Sequence, residues 1–316
     1  MKKIALTALA LIAAALPVHT VFAIDEQTTA VPVEEAVYEP EFSTAGFFQL
    51  DGTGREVLSM NPGWRFMQGD VQGAENIAYD DGDWEEVALP HGIEYLPTEA
   101  SGCYNYQGVV WYRKHFIVPK ALKGKCLSIE FDGVYMNSTV WINGHELGTR
   151  PYGYISFSYD LTPYLEYGKK NTIAVRVDNS DQPNSRWYSG CGIFRPVRLL
   201  VTGKAHIEQW GIFARCLEED VLSVSTNTIG CDGAGFELTS ELIDRDGEVI
   251  AFSRSAVSGD KATVEQEMPV KGAHLWTLSN PYLYTLKVSL LSGGEVSDVQ
   301  YVPVGFRTVG FDPSKG

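Results

Sequence analysis

Beyond an apolar stretch at the N-terminus, hydrophobic positions gather in short runs separated by turn residues. Residues 109–118, 126–132, 138–142, 155–159 and 171–178 alternate or run apolar over strand lengths. Asn143-Gly144 follows Val140-Trp141-Ile142 directly. An Asn-Gly pair after such a run predicts a tight hairpin, because both residues tolerate positive φ. Further strands are predicted over 193–201, 207–214, 221–227, 236–243, 249–253, 263–268, 282–291 and 299–309, with Asp244-Arg245-Asp246-Gly247 as a turn. No helical stripe of useful length appears outside the N-terminus. Many short strands with regular turn punctuation predict an all-β chain of two sandwiches. Residues 46–203 have the size of a jelly roll and 204–312 that of an immunoglobulin-like sandwich, with the boundary near 202–205.

The N-terminal run has its own logic. Lys2 and Lys3 precede an apolar stretch over 4–16, and Val21-Phe22-Ala23 places small residues where a signal peptidase cuts. Residues 1–23 therefore read as a signal peptide, too short to span a membrane, and 24–45 as a flexible acidic leader. The expected location is periplasmic or extracellular, with no membrane attachment after signal removal.

Charge narrows the ligand classes. Forty acidic against 25 basic residues give a net charge of −15, which disfavours nucleic acid and anionic membranes and suits a neutral ligand such as a sugar. Aromatics at 12% fit sugar-stacking platforms or plain β cores, and composition favours the cores. Five cysteines leave at least one thiol unpaired, and the absence of C-x-x-C spacing gives no zinc site. Beyond the N-terminal signal segment, the histidines His91, His115, His145, His206 and His274 show no metal spacing, and no cofactor is expected. Asp80-Asp81-Gly82-Asp83 and Glu218-Glu219-Asp220 read as solvated turns, the former lacking a complete calcium loop.

Several segments, taken in order, are similar to those of glycoside hydrolase family 2. Gly108-Val109-Val110-Trp111-Tyr112-Arg113-Lys114-His115-Phe116 resembles the family's WYRK strand, and Leu89-Pro90-His91 its LPH element. Asp132-Gly133-Val134, with Val140-Trp141-Ile142-Asn143-Gly144 downstream, resembles its F-x-G-V…V-W-x-N-G segment. Arg176-Val177-Asp178-Asn179 follows, then Arg186-Trp187-Tyr188-Ser189-Gly190-Cys191-Gly192-Ile193-Phe194-Arg195, similar to RWY-x-G-x-G-I-x-R. Leu275-Trp276, Asn280-Pro281-Tyr282-Leu283-Tyr284 and Gly305-Phe306-Arg307 resemble the closing elements. Together these cover roughly residues 50–312.

The resemblance implies a galactose-binding-like jelly roll, an immunoglobulin-like sandwich and, after them, a (β/α)₈ barrel carrying the catalytic carboxylates. The sequence ends where that barrel is expected to begin, and it contains no Asn-Glu dipeptide of the family's acid/base motif. Retaining glycosidases need two carboxyl groups about 5–5.5 Å apart, and no such pair can be assigned here, nor any Gly-x-Ser-x-Gly elbow. No catalytic residue is therefore expected in this chain. The RWY pattern points to the β-galactosidase branch, acting on terminal β-D-galactosides. The alternatives are the front half of a β-glucuronidase or β-mannosidase, or a stand-alone lectin-like module.

Two loops are expected to reach a sugar. The resemblance places 182–190 over the barrel mouth, where Arg186 offers fixed donors and Trp187 and Tyr188 offer ring faces. Other branches carry an Asp at the matching place. Packing between domains is the competing role for Trp187 and Tyr188, and pairing with a carboxylate for Arg186. In 101–107, Asn105 and Gln107 carry amides suited to sugar hydroxyls, against the reading of an ordinary polar loop. His91 is expected to be a structural hydrogen-bonding residue. The expected partners are a β-galactoside and a catalytic barrel; oligomerisation is left open.

Overall fold

The computed structural model describes residues 52–93, 106–181, 191–218, 220–310 and 312–314. The residues expected to form a signal peptide and leader, 1–45, lie outside the described residues. Within them the chain is all-β: a jelly roll followed by an immunoglobulin-like sandwich.

The jelly roll stacks two antiparallel sheets. One contains β1 (Glu56–Ser59), β10 (Val197–Thr202), β5 (Cys126–Phe131) and β8 (Phe157–Asp160), in that order. The other runs β3 (Glu85–Val87), β2 (Trp64–Gln68), β4 (Val109–Ile117), β9 (Lys170–Asp178), β6 (Ser138–Ile142) and β7 (His145–Arg150). Their facing surfaces bury one core, in which Trp64, Tyr112, Phe131, Phe157 and Val175 are almost fully enclosed. The predicted hairpin is present: β6 and β7 are joined by Asn143 (φ 49°) and Gly144 (φ 80°), both left-handed, as the right-handed twist of the flanking strands demands. The expected strand over 193–201 is trimmed to Val197–Thr202, and β1, β2 and β3 are strands that the hydrophobic pattern did not predict.

The second sandwich is built differently. Its strands are β11 (His206–Glu218), β12 (Val221–Ile243), β13 (Val249–Pro269), β14 (Tyr284–Ser292) and β15 (Glu295–Val304). The four predicted segments between 221 and 268 are two long strands, joined by the predicted turn through a Gly247 N–H to Asp244 carbonyl bond of 3.2 Å. The first half of β12 pairs with β11 and with the second half of β13. Its second half pairs with β14 and with the first half of β13. The register breaks between Cys231 and Phe236, where Gly233 and Gly235 take left-handed φ of 110° and 90°. Folded at that bulge, one sheet supplies both layers, and Leu222 and Val224 of one half share a core with Leu238, Leu242, Leu286 and Val288 of the other.

A polar clamp joins the two domains. Arg55, just before β1, donates to both carboxylate oxygens of Asp298 (3.1 and 2.7 Å), to the Gln209 amide oxygen (2.6 Å) and to the Ile207 carbonyl (2.6 Å). Gln209 in turn donates to Glu130 at 2.5 Å. Asp298 is completely buried, and it is satisfied because it also accepts the Ile207 N–H at 2.8 Å.

Candidate functional site

The WYRK strand organises the loop-bearing end of the jelly roll. β4 is a central strand, hydrogen-bonded on both edges to β2 and β9, and residues of both its faces are buried from Val110 to Lys114. Side chains alternate across it. Val110, Tyr112, Lys114 and Phe116 form one row, and Trp111, Arg113 and His115 the other.

In the first row Lys114 is 2% exposed, and its Nζ donates to the Pro62 carbonyl at 2.5 Å. Burial drops its pKa to about 8. Tyr112 lies against Trp64, Phe66 and His91. Burial raises the Tyr112 phenol far above its ordinary range and pushes the His91 imidazole down. The Tyr112 hydroxyl lies 2.9 Å from His91 Nδ1 and donates to the His91 carbonyl at 3.4 Å. His91 is a structural hydrogen-bonding residue here, packed edge-on against Phe66 with ring centres 4.7 Å apart.

The second row holds the segment between β2 and β3 against the outer face of the sheet. The fully buried Arg113 guanidinium donates to Asp81 at 2.7 Å and to the carbonyls of Ala74, Asn76 and Tyr79. Trp111 donates to Asp70 at 3.3 Å and stacks on Trp141, 5.4 Å between centres. Asp81 is thus not part of a solvated turn, as its acidic surroundings suggested. It is 8% exposed and binds Arg113 and His115 together. Burial alone would raise its pKa, but the bonds from His115 and Arg113 outweigh that and hold it at about 2.

Asp81, His115 and Thr172 stand in acid–base–hydroxyl order, with His115 2.9 Å from Asp81 and 3.0 Å from Thr172. Thr172 is 3% exposed and Asp81 is already committed to Arg113, so the hydroxyl is sealed from a substrate although the His115 ring is partly exposed. It is a structural triad.

The stems of the two sugar-loop candidates are tied together. The His91 N–H donates to the Ile193 carbonyl at 2.8 Å, and the Ile93 N–H to the Cys191 carbonyl at 3.0 Å. Asn179, fully buried, accepts the Gly108 N–H at 2.9 Å and donates to the Tyr106 carbonyl at 2.6 Å. Gly192 (φ 128°) closes the junction, where a Cβ would collide with the Tyr112 hydroxyl. Burial raises the Cys191 thiol to about 12, so it stays protonated. The chain thereby leaves the sandwich at Ile93 beside Cys191 and returns at Tyr106 beside Asn179.

Of the residues expected to meet a sugar, Gln107 is described and stands exposed at the foot of its loop. Asn105, Arg186, Trp187 and Tyr188 lie outside the described residues. Sequence reasoning missed Asn179 as the tie between the loops. Its signal was a polar residue closing the apolar strand Ile173–Asp178, where a side chain can satisfy the backbone that the sheet no longer pairs. The cysteines Cys126, Cys191, Cys216 and Cys231 are free thiols. No group of three potential ligands is placed to hold a metal among the described residues, and no helix among them is long and apolar enough to cross a membrane.

Comparison with known proteins agrees with this frame. Residues 57–203 match the model of the glycosyl hydrolases family 2 sugar binding domain, and 206–307 match that of glycosyl hydrolases family 2. The chain is 44% identical over 278 residues to a beta-galactosidase of Bacteroides ovatus, covering 83% of this chain and 33% of that protein. It is 39% identical over 273 residues to a putative beta-glucuronidase of Formosa agariphila, covering 83% of this chain and 26% of the relative. A family 2 member from Bacteroides cellulosilyticus superposes with a TM-score of 0.73 at 33% identity, over 83% of this chain and 38% of the other. The chain thus spans about a third or less of the length of these curated relatives. With both of its sandwiches matched in order, the chain belongs to glycoside hydrolase family 2, and what it carries is the family's N-terminal sugar-binding domain and the immunoglobulin-like domain that follows.

Proposed function

We propose that this chain is the N-terminal, non-catalytic part of an exported, retaining β-galactosidase. The observation that carries the galactoside reading is the 44% identity to the Bacteroides ovatus beta-galactosidase, which exceeds the 39% identity to the putative beta-glucuronidase. The Arg186-Trp187-Tyr188 segment supports the same branch.

In this reading the two sandwiches brace a barrel domain that supplies both carboxylates. The loops rooted at Ile93, Gln107, Asp181 and Cys191 lean over the barrel mouth. Arg186, Trp187, Tyr188, Asn105 and Gln107 line the sugar there. The tied stems favour this role, since a loop rooted on rigid strands holds its side chains to better than a loosely attached one can.

The test compares hydrolysis of nitrophenyl β-D-galactoside and nitrophenyl β-D-glucuronide. The purified 316-residue chain should turn over neither. The full gene product should favour the galactoside, and preference for the glucuronide would overturn the assignment. Arg186→Ala in the full product should lower kcat/KM, and unchanged kinetics on every galactoside tried would remove Arg186 from the site.

A further inference from the structure

A cleft of about 550 Å³ opens between the two sandwiches, lined by the outer face of the four-stranded sheet on one side and by β11 and its neighbours on the other. It lies within the ~300–1,000 Å³ range of small-ligand sites. Trp210 stands in it, and Trp210 is doubly unusual. It is 53% exposed, and its backbone is left-handed (φ 57°), a conformation that bulky side chains avoid.

A β-bulge produces that conformation. Pairing of β11 with β12 stops at Ile207 with Thr228 and resumes at Ile212 with Thr226, so residues 208–211 stand opposite Asn227 alone. Gly211 allows the bulge to close, since a Cβ there would lie 2.9 Å from the Glu208 carbonyl oxygen. The two residues before Trp210 are fastened. Gln209 bridges Arg55 (2.6 Å) and Glu130 (2.5 Å), and Glu208 accepts from Asn227 at 3.0 Å. The bulge therefore anchors the strand to the jelly roll and presents the indole to the cleft. Core packing does not explain a ring held outward in this way.

The lining chemistry identifies the ligand class. Arg150, Lys261, Asp160, Ser156 and Ser158 share the cleft with Trp210. Charges of both signs and hydroxyls surround one exposed aromatic face. A polyanion would meet Asp160 and Glu208 and the net negative charge of the chain, and an apolar ligand would leave these polar groups unsatisfied. An uncharged polyhydroxylated ligand takes donors and acceptors alike and stacks its C–H face on the indole. We propose that this cleft is a second saccharide-binding site, with Trp210 as its stacking platform. It stands independently of the galactoside reading and of the loops at the other site.

The 316-residue chain should be titrated with lactose and with cellobiose, following tryptophan fluorescence and heat. A saturable signal is expected from at least one of the two. Trp210→Ala should weaken that binding about tenfold or more, and Trp210→Phe should retain part of it. Because the ring is exposed, Trp210→Ala should keep the parent's circular dichroism and melting temperature. Arg186→Ala should leave binding at the cleft unchanged. Absence of saturable binding to both disaccharides overturns the proposal, as does binding that survives Trp210→Ala or that is abolished by Arg186→Ala instead.

Discussion

The two sandwiches solve one problem in opposite ways. The jelly roll brings together strands distant in sequence and covers the outer face of its larger sheet with a loop pinned by buried charge, Arg113 to Asp81. The immunoglobulin-like domain folds one sheet over itself at the bulge before Phe236 and fills the space with Leu and Val. The difference teaches where each is vulnerable. A buried ion pair gains little over a well-packed apolar pair while intact, yet losing one partner strands the other charge. An apolar core yields in proportion to the volume removed.

The most severe test is Arg113→Ala. It leaves Asp81 buried beside three carbonyls without their donor, and about 3–5 kcal/mol of stability should be lost in urea unfolding. Arg113→Lys should rescue little, because an ammonium cannot span the same acceptors. A loss below about 1 kcal/mol would erase the contrast between the domains. Next comes Leu242→Ala, at a fully buried position of the second core, expected to cost about 2–5 kcal/mol. If the two domains unfold as separate transitions, each substitution should move only its own.

A pH titration sharpens the comparison further. The folded Asp81 pKa of about 2 lies below its ordinary 3.8. Its contribution is therefore complete above about 3.8 and is lost as pH falls from there toward 2. Asp81→Asn should flatten the stability profile of the first domain in that window and leave the second unchanged. An unaltered profile would show that Asp81 does not carry the acid sensitivity. The smallest effect belongs to the half-exposed pair of Lys287 and Glu241, 2.7 Å apart on the second domain. Lys287→Ala should change stability by no more than about 1 kcal/mol.

Much of this was legible before any coordinates. The strands at 109–117, 126–131 and 138–142 and the Asn143-Gly144 hairpin follow from period-two patterning and turn chemistry, which are local. The long bent strands β12 and β13 were seen as four pieces, because the glycines at the bend look like a turn in sequence although the chain continues through them as one strand. Asp81 was misread for a related reason. An acidic Gly-containing tetrapeptide looks solvated until the arginine that covers it, thirty-two residues later, is brought alongside.

By itself, then, the sequence determined the all-β class, the spacing of its strands and the membership in a glycosidase family, since each depends on residues close together in the chain or on motifs met in order. Only the tertiary structure decided that the stems of both candidate sugar loops share one junction through Asn179, that Arg113 and Asp81 form a buried pair, and that Trp210 faces a cleft between domains. Those outcomes depend on contacts between residues from about thirty to more than seventy positions apart. No local pattern encodes such contacts, because desolvation and pairing are settled only when the layers close.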